Sequence, residues 1–292
     1  MTVILKNGFL KQQQATPLSD TGRLVKILVV NLMPNKLETE RQFAELFSQL
    51  TVDVQVTFAR MASHHSKHIS EAASHHSKHI SEADFNHADY VALEDLQNSY
   101  FDGLVVTGAP VEELDFETVD YWSEFKALLD WRETHVRESI FECWAAQAGL
   151  YADFGIQKHV LPSKLFGVYR CQINAETKLT AGFDALSMPQ SRHSTLTKID
   201  DPEVDVLASD PEAGPVVMHA VKTRSTYISG HPEYETNTLF NEFHRDMEKG
   251  LPIRLPKRYF SAAVPTNTWR GDSVQLYNNW VASLSNVRVT TF

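Results

Sequence analysis

Ser139-Ile140-Phe141-Glu142-Cys143-Trp144-Ala145-Ala146-Gln147-Ala148-Gly149 is the stretch on which the rest of the chain turns. Its apolar start reads as a buried strand, and the Ala-rich continuation through Leu150 reads as a helix beginning just after Cys143. A residue at such a junction lies at the carboxyl edge of a sheet, where open α/β folds place their ligands. It also faces a helix N-terminus, whose partial positive charge favours a thiolate over a thiol. Two readings stay open here. Cys143 is a nucleophile on a sharp strand-to-helix turn, or it is a small buried hydrophobe, as most free cysteines are.

Toward the N-terminus, Lys26–Asn31 reads as a buried strand and Leu32-Met33-Pro34 as a turn. Leu37, Phe43, Ala44, Phe47 and Leu50 form a helical apolar stripe, with Glu38 and Glu40 suited to its first turn. Val52, Val54, Val56 and Phe58 alternate, so a second strand follows. Strand, helix and strand make a βαβ unit and imply a parallel sheet. A third strand, Phe101–Thr107, ends in Gly108-Ala109-Pro110; a Gly there lets backbone amides approach a ligand and serve as an oxyanion hole, or simply makes a turn. Val119–Arg137 reads as an amphipathic helix leading into the Cys143 strand.

Toward the C-terminus, Lys164–Tyr169 reads as a strand and residues 174–215 as loop-rich and short-stranded. Thr226–Gly230 is a strand running into His231-Pro232-Glu233-Tyr234, and Thr236–Lys249 is a helix. In an extended segment, positions two apart point the same way, so His231 and Glu233 can act as a base and its orienting carboxylate. The alternative is a surface histidine in a turn. The helix around Val274–Leu284 carries Leu276, Tyr277, Trp280, Val281 and Leu284 on one side, packing onto the domain or onto a partner subunit, so a homodimer stays open.

Composition bounds these readings. The chain has 292 residues, 42% of them hydrophobic and 22% charged, which is ordinary globular usage. A formal charge of −10 argues against nucleic acid and anionic membranes as partners. Only Cys143 and Cys171 are present, which points to a reducing cytoplasm rather than a disulfide scaffold. The first twenty residues hold no unbroken apolar run, so no signal peptide is expected, and no stretch reaches the ~20 apolar residues of a membrane span. Ala62–Ala72 is repeated without change as Ala73–Ala83. With His87, the two copies hold seven of the thirteen histidines: His64, His65, His68, His75, His76, His79 and His87. A metal site there lacks a carboxylate or cysteine partner, so the expectation is a duplicated surface segment over 62–83 and no metal.

Five stretches, in order, resemble the homoserine O-acyltransferase family (the O-acetyl- and O-succinyltransferases): Asn31–Lys36, Thr107–Glu112, Cys143–Gln147, Lys164–Val168 and Gly230–Tyr234. The resemblance spans roughly residues 26–285. It implies a class I glutamine amidotransferase-like fold, a flavodoxin-like three-layer α/β sandwich with a mainly parallel sheet. The domain reading is an N-terminal arm over 1–24 and a single α/β acyltransferase domain over 25–292. Carried over by resemblance, Cys143 is the nucleophile, His231 the base and Glu233 its orienting partner. Lys164, Ser191 and Arg245 match positions that contact the acceptor amino acid. The backbone amide of Trp144, with one from Gly108-Ala109, forms the oxyanion hole. Glu112 sits where the family sorts its donors, and Glu there resembles the acetyl users. A carboxylate in that position would also repel the free carboxylate of a succinyl group.

The expected activity is therefore transfer of an acetyl group from acetyl-CoA, through a Cys143 thioester, to the hydroxyl of L-homoserine in methionine biosynthesis, with no permanently bound cofactor. Alternatives are L-serine as acceptor in cysteine biosynthesis, succinyl-CoA as donor, a glutamine amidotransferase-like hydrolase, or an inactive binding protein. Two departures from the family lie near the site. Glu142 precedes the nucleophile where an apolar residue is usual, and Arg170-Cys171 stands where Glu-His is common.

Overall fold

The computed structural model describes residues 2–11, 24–62, 90–196 and 198–285. The duplicated segment with its six histidines, and His87 after it, lie outside them, apart from Ala62. The chain divides into two compact units, Met1–Ile140 with Val281–Phe292, and Phe141–Trp280.

In the first unit, β1 (Val3–Leu5), β2 (Val25–Val30), β3 (Val54–Arg60) and β5 (Phe101–Val106) run in the order β1-β3-β2-β5, and β4 (Val91–Ala92) also pairs with β3. These pairs are parallel. α1 (Lys36–Ser48) joins β2 to β3 and completes the expected βαβ unit. It starts where Asn35 accepts a hydrogen bond from the Glu38 amide, satisfying one donor of the first turn. Of the stripe seen in the sequence, Phe43, Ala44, Phe47 and Leu50 are buried and Leu37 half-buried; Leu46 is buried with them. The segment expected as an arm holds β1, tied down by side chains. Asp53 accepts from the Thr2 amide at 2.7 Å, and Asn7 exchanges two 2.8 Å bonds with the Phe58 backbone. α2 (Trp122–His135) begins three residues later than its apolar stripe predicts, after a 3-10 turn over Phe116–Thr118. β6 (Val136–Glu142) then carries the chain into the second unit.

That unit opens with α3 (Trp144–Phe154), closed by Gly155 in the left-handed conformation at φ 70°. Its strands β7 (Lys158–Ile173), β8 (Ala185–Leu196), β9 (Asp205–Asp210), β10 (Gly214–Ala220) and β11 (Ser225–Ile228) follow the order β11-β10-β9-β7-β8, with antiparallel pairs. The stretch expected to be loop-rich thus contains the twelve-residue strand β8. It escaped a hydrophobic-pattern reading because its buried alternating positions include Gln190, Arg192 and Ser194. Pro189, which discourages a strand reading, is tolerated because β8 ends the path and needs no ladder donor on its outer side. α4 (Thr238–Glu248), the small hairpin of β12 (Phe260–Ser261) and β13 (Val264–Pro265), and α5 (Arg270–Ser285) complete the chain. Phe166, Val168, Tyr234, Leu239, Tyr259 and Trp269 form a buried cluster beneath the segment that carries His231 and Glu233. No helix among the described residues is long and apolar enough to cross a membrane.

Candidate active site

Cys143 sits between β6 and α3, at the N-cap of α3. Its backbone is at φ 49°, ψ −114°, a conformation that L-residues with a side chain rarely adopt. The turn is held because the Cys143 amide donates to Ile228 O at 2.8 Å, so β11 fixes the strained residue from outside its own loop. Gly149, one turn further along α3, lets the helix lie against β11. A Cβ there would come within 2.9 Å of the Tyr227 ring. The thiol is 4% exposed, the helix dipole points at it, and Trp144 opens the first turn of amides.

His231 follows β11 through Ser229-Gly230. Gly230 has no room for a side chain, since a Cβ would lie 2.5 Å from Met188 Cγ and from Pro189 O. The His231 amide donates to Pro189 O at 3.0 Å, which ties the loop to β8. Its Nδ1 lies 2.8 Å from Glu233 Oε1, and the ring stacks on Tyr234 with centroids 4.2 Å apart. Nδ1 is thus committed to Glu233, and the ring's other nitrogen remains for the hydrogen bond it shares with Cys143. Burial by itself would lower the His231 pKa. The charges of Cys143 and Glu233, with a hydrogen bond to each, outweigh it and hold the pKa well above the ordinary histidine range. Cys143, His231 and Glu233, singled out across ninety residues of sequence, are thus brought together.

A second polar cluster contains the three expected acceptor-binding residues. Lys164 Nζ lies 2.8 Å from Asp246 Oδ2 and 3.6 Å from Glu242 Oε2. Ser191 donates to Glu242, Tyr234 donates to Glu242 Oε1 at 2.7 Å, and Arg245 donates to Asp246 Oδ1 at 2.8 Å. The Glu242 and Asp246 carboxyls are held below their usual range: burial would raise them, but Lys164 and Arg245 prevail. Tyr234 joins the two clusters, with its ring on His231 and its hydroxyl on Glu242.

Sequence reading passed over Glu242, Asp246 and Arg192. Glu242 and Asp246 carry a visible signal, one helical turn apart on α4 and flanking Arg245. Arg192 gives none, because a charged residue inside a strand reads as solvent-facing. It is 1% exposed and donates to Gln190 Oε1 at 2.9 Å and to Ala213 O at 2.7 Å. Burial lowers its pKa to about 10, against the opposing pull of Cys143. Gly108, Ala109 and Glu112 belong to the first unit, just after β5. There Thr107 Oγ1 accepts from the Leu32 amide at 2.8 Å and donates to Gly108 O at 3.0 Å, which shapes the turn; Glu112 is half-buried. Among the described residues, no group of three or more His, Cys, Asp or Glu side chains is arranged to hold a metal ion.

An α/β scaffold with a cysteine on a strand-to-helix turn has the class I glutamine amidotransferase-like fold. Solved structures agree on the fold. A glutamine amidotransferase from Thermotoga maritima aligns over 90% of this chain and 99% of its own with a TM-score of 0.59 at 11% identity. A glutamine amido transferase from Methylobacillus flagellatus aligns over 93% and 99% with a TM-score of 0.58 at 12% identity. Within that class, the homoserine O-succinyltransferase family model matches residues 2–288, and the chain belongs to this family. It is 39% identical over 270 residues to a homoserine O-acetyltransferase of Clostridium tetani, covering 89% of this chain and 84% of that protein. A homoserine O-acetyltransferase of Leuconostoc mesenteroides is 39% identical over 287 residues, covering 96% and 88%. The protein is accordingly an acyltransferase.

Proposed function

We propose that this acyltransferase moves an acetyl group from acetyl-CoA to the hydroxyl of L-homoserine through a thioester on Cys143. The observation that carries the reading is His231, held at 2.8 Å by Glu233 and hydrogen-bonded to a cysteine at the strained start of a helix. In the first step the Cys143 thiolate attacks the thioester carbonyl. The CoA sulfur leaves with the electron pair of the broken C–S bond and takes a proton from His231. In the second, neutral His231 removes the proton of the acceptor hydroxyl as its oxygen attacks the acyl-cysteine, and the Cys143 thiolate is released. The imidazolium, next to Glu233, restores the starting ion pair. Such double displacement predicts ping-pong kinetics. The Trp144 amide serves the oxyanion of both steps.

The acceptor is a zwitterion with both charges near its hydroxyl. A cluster holding Lys164 and Arg245 beside Glu242 and Asp246 offers both signs of charge, with the planar fork of Arg245 suited to the carboxylate. L-Homoserine is favoured over L-serine because the curated relatives at 38–39% identity are named for homoserine. Acetyl is favoured over succinyl by Glu112, whose charge opposes a second carboxylate. No cofactor is bound permanently, and the reaction belongs to the cytoplasm, where acyl-CoA is made and used.

Intact-mass measurement after mixing with acetyl-CoA alone tests this reading. It expects one acetyl adduct on Cys143, discharged by L-homoserine faster than by L-serine or water. Discharge by water alone would replace the transferase by a hydrolase. A faster succinyl adduct would overturn the donor assignment.

A further inference from the structure

Glu142 is the residue immediately before the nucleophile, and it is a carboxyl group with no exposure to solvent. Burying a carboxylate without a cation is costly, and such a group takes up a proton instead. Its environment fits that outcome. Tyr277 donates to Glu142 Oε1 at 2.6 Å, and the carboxyl whose charge acts on Glu142 is that of Glu233, itself fully buried and bonded to His231 through Oε1. The remaining oxygen of each, Glu142 Oε2 and Glu233 Oε2, has no hydrogen-bond partner as long as both groups are taken as acceptors. Two orphaned acceptors on neighbouring buried carboxyls are satisfied together by a single proton.

We propose that Glu142 is a positioning residue of this site: an un-ionised carboxylic acid whose Oε2 hydroxyl donates to Glu233 Oε2 while its Oε1 accepts from Tyr277. Glu233 is then held from both ends, by Glu142 on one oxygen and by His231 on the other, and its plane fixes the imidazole opposite Cys143. The proton belongs on Glu142 rather than on Glu233 because the cationic form of His231 adjoins Glu233. The groups facing Glu142 agree. Burial and the Glu233 charge push its pKa well above the carboxylate range, against smaller opposing effects of Tyr277 and His231. Arg270 donates to the backbone carbonyls of Glu233 and Tyr234, at 3.4 and 3.2 Å. The inference rests on reading Cys143, His231 and Glu233 as the catalytic triad, but the protonation state is measurable whatever reaction the triad performs.

Two variants separate positioning from packing. Glu142→Gln keeps a neutral acceptor for Tyr277 and a neutral donor for Glu233; Glu142→Leu keeps the volume and removes both. Difference infrared spectroscopy at pH 7, wild type minus Glu142→Gln, is expected to show the carbonyl stretch of an un-ionised carboxylic acid, and its absence overturns the proposal. In steady-state assays, Glu142→Gln is expected to retain kcat within about 5-fold. Glu142→Leu is expected to lose at least 10-fold in kcat, with both KM values within about 2-fold and a narrowed pH plateau. Equal losses in the two variants, or none in either, would overturn the positioning role. If Glu142→Leu does not fold, the infrared band and the Glu142→Gln kinetics decide alone. Loss of the predicted acyl transfer with the acid band intact would count against the reaction assignment and not against this one.

Discussion

The triad and the Lys164–Ser191–Arg245 cluster lie in the same half of the molecule, yet their order has opposite origins. In the triad, backbone geometry does the placing. Cys143 is pinned at φ 49° by a bond to Ile228, Gly230 has no space for a Cβ, and His231 is tied to Pro189 through its own amide. In the cluster, charge does the placing. Lys164 and Arg245 are held by Glu242 and Asp246, and Ser191 and Tyr234 both donate to Glu242. A site of the first kind is preorganised, so little must move when charge develops on a reacting atom. A cluster of the second kind is already neutralised, so under the proposed function a zwitterionic acceptor would enter it by exchanging partners, its ammonium and carboxylate replacing existing contacts. The proposed function therefore predicts that changes in the first act on kcat and changes in the second on KM.

The largest test of that division is Cys143→Ser, which changes one atom and leaves the turn in place. Activity is expected to fall by about 10⁴ or more with no acyl adduct by mass spectrometry, because a serine hydroxyl is a far weaker nucleophile than a cysteine sulfur. Retained turnover would remove the triad from the chemistry. Smaller, and on the other side of the comparison, Arg245→Ala is expected to raise the acceptor KM by about 10- to 150-fold while the acyl-CoA KM stays near wild type, the loss of one charged hydrogen-bond pair being worth ~1.5–3 kcal/mol. A fall in kcat at unchanged KM would make the cluster part of the catalytic scaffold instead.

The smallest effect is on stability. His231 has a raised folded-state pKa, so its contribution is complete below its ordinary value of 6.5 and fades as pH rises through the folded value. Glu142 is also raised, and for an acid this means the folded protein retains a proton that the unfolded chain releases above its ordinary value of 4.5, so stability falls as pH rises from there toward the folded value. Both act in one direction. The wild-type Tm is expected to fall between pH 6 and 9, and to fall less in Glu142→Gln, by up to about 1.4 kcal/mol of unfolding free energy per pH unit. Parallel Tm curves for the two proteins would mean that Glu142 does not hold its proton.

The parallel sheet, the βαβ unit and the candidate triad were all legible in the sequence because each rests on local pattern. Val54, Val56 and Phe58 alternate, Phe43 and Phe47 recur at helical spacing, and a cysteine between an apolar run and an Ala-rich run marks a turn whichever fold surrounds it. β8 was not legible, because Gln190, Arg192 and Ser194 occupy its inward positions and a pattern reading sends polar residues outward. Glu142 was visible as an oddity beside Cys143, but its partner stands ninety-one positions away and Tyr277 farther still. Sequence alone thus picked out the candidate reactive residues, since residue type and local backbone pattern can be read along the chain. Only the tertiary structure decided which of those groups lie together and which are buried, because burial and the pairing of charges across distant segments are properties of the folded chain.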